Sequence, residues 1–105
     1  MNDKELDNIH QLISYPNTSK LGFKLAEGFG YDALDLIRLL WDKKSRCNCE
    51  DTWKLKFNNM TLIKRNRALL NKWSITVISD PYQHQKGPWR FEETAFKWLM
   101  LKLKL

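Results

Sequence analysis

Metal-binding and redox side chains are nearly missing from this chain, which has two cysteines and two histidines. Cys47 and Cys49 are separated only by Asn48, too close for an unstrained bridge. They also lack the two-residue gap and the second Cys/His pair of a zinc knuckle. His10 and His84 each neighbour a glutamine and read as solvent-exposed. No metal ion and no cofactor is therefore expected, and unbridged cysteines fit a reducing compartment, so the reading is cytoplasmic.

Glycine is scarce too, at four residues. No Gly-rich phosphate loop, nucleophile elbow or paired-histidine motif occurs, so the chain reads as a non-enzyme with no catalytic residues assigned. One sparse alternative is a metal-free ribonuclease, with His84 as base, Lys86 as charge stabiliser and Arg90 as phosphate clamp. No apolar run approaches the roughly 18–20 residues of a membrane span. The acid-bearing start, Met1-Asn2-Asp3-Lys4-Glu5, does not read as a secretory signal.

The chain does have apolar side chains for a core, 43% of its 105 residues, a size that fits one domain over 1–105. It also carries a lopsided charge. Acids and bases balance through residue 58, and the whole net charge of +6 falls after it, where Asp80, Glu92 and Glu93 are the only acids. Such asymmetry marks a surface suited to polyanions, or serves solubility.

Asn2 or Asp3 caps a first helix reaching about Ser14, with Leu6, Ile9 and Ile13 as its stripe and Pro16 beyond its end. Thr18 or Ser19 caps a short second helix ending at Gly28-Phe29-Gly30. Residues 31–44 form the clearest helix, burying Ala33, Leu34, Ile37, Leu40 and Trp41. In 52–57, Trp53, Leu55 and Phe57 alternate with Thr52, Lys54 and Lys56, the period of a half-buried strand. Asn58 and Asn59 then cap a helix over 60–73 with Leu62, Ile63, Leu69, Leu70 and Trp73 inward. Ile75–Ile78 reads as a strand, 80–88 as a loop and Trp89-Arg90-Phe91 as a returning strand. A last helix runs from about Glu92 to Leu105, although its closing Leu-Lys-Leu-Lys-Leu also alternates like a strand. The fold class is α+β: N-terminal helices, then strand, helix, β-hairpin and helix.

The outward side of the 60–73 helix collects Thr61, Lys64, Arg65, Arg67, Ala68, Asn71 and Lys72, with no acid. With Lys86 and Arg90 on the following hairpin, this is similar to a recognition helix and wing, the winged-helix class of DNA-binding proteins. Upstream, residues 24–39 resemble a helix-turn-helix, with Ala26 at the helix crossing, Gly30 as the left-handed turn residue and Leu36 and Leu39 inward. The outward face of its second helix shows Asp32, Asp35, Arg38 and Asp42, which phosphates repel. The resemblance implies a DNA-binding regulator or accessory factor. Its nucleic-acid contacts would be Thr61, Lys64, Arg65, Arg67, Asn71, Lys72, Lys86 and Arg90, with duplex DNA the favoured partner.

Trp41, Trp53 and Trp73 read as core residues, and Trp89 as hairpin packing or a stacking surface. Trp98, Leu101 and Leu105 lie off the inward stripe of the last helix, which predicts a homodimer or partner contact there. The alternative function is an inhibitor, immunity or adaptor module that grips an acidic protein through the same basic face.

Overall fold

The computed structural model describes residues 1–47, 51–66, 72–79 and 82–104. Three helices lead: α1 (Asp3–Ile13), α2 (Ser19–Gly28) and α3 (Ala33–Lys44). Five strands follow: β1 (Arg46–Cys47), β2 (Thr52–Phe57), β3 (Met60–Arg65), β4 (Lys72–Ser79) and β5 (Tyr82–Trp89). Helix α4 (Glu92–Lys104) comes last. The strands pair antiparallel in chain order, β1-β2-β3-β4-β5. The fold is α+β.

Local chemistry starts α1 and α3. The Asn2 side chain accepts from Glu5 N–H at 2.8 Å, and the Glu5 carboxylate accepts from Asn2 N–H at 3.4 Å. This reciprocal pair satisfies two donors that the first turn leaves over. Thr18 does not cap α2 with its side chain; its hydroxyl donates to the Leu12 carbonyl at 2.6 Å, pinning α2 to the end of α1. The two helices touch at Gly22, where an added Cβ would lie 2.5 Å from Ile13 Cγ2. Gly30 holds φ at 91° as the chain turns into α3, where glycine carries no Cβ penalty. Asp32 caps α3 by accepting from Asp35 N–H at 2.7 Å.

The core forms where the helices cover one face of the sheet. Leu6, Ile9, Ile13, Phe23, Ala26, Leu36, Ile37 and Leu40 come from α1 to α3. Leu55, Phe57, Leu62, Trp73 and Ile75 come from the sheet, and Ala95, Phe96, Leu99 and Leu103 from α4. At its centre Trp73 lies 4.7 Å from Trp41 and 5.2 Å from Phe96, ring to ring. Such tilted and edge-on pairs add about 0.5–1.5 kcal/mol each beyond area burial. Trp53, expected in this core, is 38% exposed, because it sits beyond Leu55 toward the end of the sheet.

The helix expected over 60–73 is replaced by strands. Met60–Arg65 is β3, Lys72 and Trp73 begin β4, and Arg67, Leu69, Leu70 and Asn71 lie outside the described residues. Asn58 takes a left-handed φ of 43°, tolerated by asparagine, and with Asn59 closes a two-residue hairpin turn instead of capping a helix. The open edge of β2 supplies the physical reason. Pairing Phe57 with Met60 and Leu55 with Leu62 satisfies backbone groups and buries both apolar rows together. Leu62 and Ile63, neighbours on the helical stripe, consequently point to opposite faces of the sheet. The loop expected over 80–88 is mostly strand as well, since β5 starts at Tyr82; Arg90 and Phe91 lead into α4 instead of extending a strand. The ambiguous tail is helical through Lys104.

Candidate nucleic-acid interface

Antiparallel register decides which side chains share the face of the sheet turned away from the core. One row across it is Thr52, Arg65 and Lys72. The next is Arg46, Lys54, Ile63 and Ser74. A third is Lys56, Thr61, Thr76 and Gln85. Five cations, Arg46, Lys54, Lys56, Arg65 and Lys72, thus share one surface. Successive rows are about 7 Å apart along a strand and neighbouring strands about 5 Å apart, so the charges spread over a broad, shallow face. None of the five pairs with a described carboxylate.

Ile63 sits in the middle of this face, yet is only 7% exposed and stands outside the core cluster. The aliphatic stems of long basic side chains can lie over such a residue while their charged ends stay in water. Beside it, Arg65, Lys72, Ser74, Gln85, Gly87 and Pro88 enclose a hollow of about 230 Å³. A break in register between Trp73 and Ile75 shapes this end of the sheet. There Gly87 has φ 96°, and an added Cβ would lie 3.0 Å from the Trp73 carbonyl oxygen.

The acids lie elsewhere. Among the described residues every side-chain carboxylate except Asp51 belongs to a helix or caps one. Arg38 on α3 is held near both Asp35 (3.7 Å) and Glu92 (3.6 Å), and Lys44 pairs with Asp7. Among the described residues, one side of the molecule therefore carries positive charge alone and the other a mixed surface.

Of the residues singled out from sequence, Thr61, Arg65 and Lys72 come together on the open face. Lys64 does not: it lies on the inner side, half-buried, with its ammonium 5.0 Å from the centre of the Trp73 ring. Lys86 is also on the inner side, as the cross-strand partner of Ile75, and Arg90 follows β5, exposed. Arg67, Asn71 and Leu105 lie outside the described residues. Trp98 is half-buried against Trp89, ring centres 5.9 Å apart, whereas Leu101 is 60% exposed. Arg46, Lys54 and Lys56 were not chosen from sequence. The signal for the two lysines was their alternation with Leu55 and Phe57, which places them opposite the core.

His10 departs from the exposed reading. It is half-buried, edge-on to Phe57 at 4.8 Å, with Nε2 2.9 Å from the Lys56 carbonyl oxygen. That contact makes Nε2 the protonated nitrogen. Burial lowers the imidazole pKa below its ordinary 6.5, and the hydrogen bond to Lys56 opposes the shift in part.

No protein-family model, curated protein or solved structure matches this chain. Among the described residues no helix is long and apolar enough to cross a membrane.

Proposed function

We propose that this protein is a small nucleic-acid-binding accessory factor that lays the open face of its sheet across a phosphate backbone. The observation that carries the reading is the set of five cations on that face that pair with no described carboxylate, none of which lies in its rows. Arg46, Lys54, Lys56, Arg65 and Lys72 contact phosphates, and Thr61, Thr76 and Gln85 donate hydrogen bonds between them.

The shape of the face narrows the mode of binding. A major groove about 12 Å wide admits a helix or a two-stranded ribbon, and four strands carry these cations. The sheet therefore lies over the backbone and reads shape more than base edges. Its rows hold no described aromatic side chain, so the stacking that single-stranded platforms use is not provided there. Duplex DNA is the favoured ligand. The α2–α3 pair acts as scaffold, because Asp32, Asp35 and Asp42 are exposed on it.

The test is a binding titration of duplex DNA, single-stranded DNA and structured RNA across a salt series. The reading requires duplex binding whose log affinity falls by about 0.9 per log unit of salt for each phosphate contacted. Absence of binding at low salt overturns it. A second reading, an adaptor for another protein, is favoured by Leu21, Leu25 and Phe29, exposed apolar residues at four-residue spacing along and just after α2. A single stoichiometric partner recovered after nuclease treatment supports that alternative.

A further inference from the structure

We propose that a cleft on the opposite side of the sheet binds a small aromatic anion, a planar ring system bearing one carboxylate or phosphate. The cleft has a volume of about 480 Å³ and opens between the end of α1, the turn at Asn58 and Asn59, β5 and the last turns of α4. Ligand sites commonly occupy about 300–1,000 Å³. It exists because β5 extends past the cover of the helices: Tyr82–Pro88 is exposed throughout, while only Trp89 is partly covered.

Its walls divide by chemistry. Met60, Val77, Leu103 and Trp98 give an apolar lining, and the Trp98 ring packs against Trp89, ring centres 5.9 Å apart and planes tilted by 40°. Lys86 and His84 enter from β5, and Lys102 enters from α4. The two β5 residues share this side because they pair with Ile75 and Val77, both on the inner face. No described carboxylate lines the cleft, and neither lysine is paired with one.

The Lys102 ammonium stands 5.3 Å from the centre of the Trp98 ring. The cation already lies over the face of the ring. A planar ligand that settles on the indole takes the place of this ammonium, which turns to the ligand's anionic group, and Lys86 reaches the same group from the strand. A neutral ring forgoes the lysines, and a bare phosphate forgoes the apolar wall. Both halves are needed for affinity.

The site is independent of the open basic face, and the experiment keeps the two apart. Indole-3-carboxylate, adenosine monophosphate, indole and inorganic phosphate are titrated into the full chain, following the indole N–H resonance of Trp98 by NMR. The two anions with rings separate the possible sources, a free aromatic acid or a nucleotide. At least one should saturate at about 1 mM or below, with indole and phosphate each at least about tenfold weaker. Lys86→Gln and Lys102→Gln should each weaken the preferred ligand about tenfold, the effect of losing one charge-assisted hydrogen bond. Duplex DNA affinity should stay unchanged in both variants. Arg65→Gln with Lys72→Gln should do the reverse, losing DNA and keeping the small ligand. Failure of both anions to saturate, or equal binding by wild type and lysine variants, overturns the proposal.

Discussion

Arg65 and Lys72 face each other directly across β3 and β4. Like charges in that relationship cost stability, of the order of 0.2–1 kcal/mol, and neither is paired with a described carboxylate. A bound phosphate between them would turn the repulsion into attraction.

Replacing both by glutamine should therefore leave the protein as stable as before, or more stable by up to about 1 kcal/mol. The same change should weaken duplex DNA binding and flatten its salt dependence by about two phosphate contacts, a slope change of about 1.8. Urea denaturation and salt-dependent titrations measure the two effects separately. A loss of stability with unchanged DNA affinity would assign the pair to folding instead.

Two glycines on α2 should respond in opposite directions to alanine. At Gly22 the new Cβ meets Ile13 Cγ2 at 2.5 Å and the Ile13 backbone nitrogen at 3.1 Å, an overpacking expected to cost about 1–3 kcal/mol. At Gly28 nothing lies within 4 Å. Gly28→Ala should stabilise by about 0.4–1 kcal/mol through the unfolded chain. Thermal melts of the two variants check the helix crossing.

Truncation at the aromatic centre should be far more costly. Phe96 is fully buried, 5.2 Å from Trp73 and 6.4 Å from Trp41. Phe96→Ala should cost about 3–5 kcal/mol, whereas Leu101→Ala on the same helix, at a 60% exposed position, should shift stability by less than about 0.5 kcal/mol.

Acid should weaken the fold through His10. Its pKa is lowered in the folded chain by burial, so the unfolded state takes up the proton first as pH falls. The contribution of neutral His10 is complete above about pH 6.5 and is lost progressively below it, until the folded form also protonates. His10→Gln should remove that part of the pH dependence while other groups keep theirs. Chemical denaturation from pH 8 to 4.5 measures the difference between the two curves.

Helices with local start signals were legible in sequence. Asn2, Asp32 and the 3.6-residue stripes of Leu6, Ile9, Ile13, Ile37 and Leu40 all appear where their chemistry placed them. Strand β2 was legible from strict alternation. The segment after Asn58 was not, because Leu62, Ile63 and Trp73 satisfy a helical stripe as well as a strand register. What decides the matter is pairing: β2 needs a hydrogen-bonding neighbour, and the two-residue turn at Asn58 and Asn59 brings the next segment back to supply it. The candidate site inherited the same ambiguity. Its charges were visible, but sorting Arg65 from Lys64 needed a two-residue period, and joining them to Arg46 needed the sheet order.

The excess of cations on the open face of the sheet, set against the mixed charge of the helices that hold most of the carboxylates, gives the molecule a lasting electric polarity. Near a polyanion such a body feels a torque as well as a pull, within roughly the 8 Å screening length of physiological salt. It would turn its sheet toward the strand before touching it, so fewer encounters are wasted on the wrong side. Raising the salt would then slow productive arrival in addition to loosening such a complex, and two copies meeting sheet to sheet would repel.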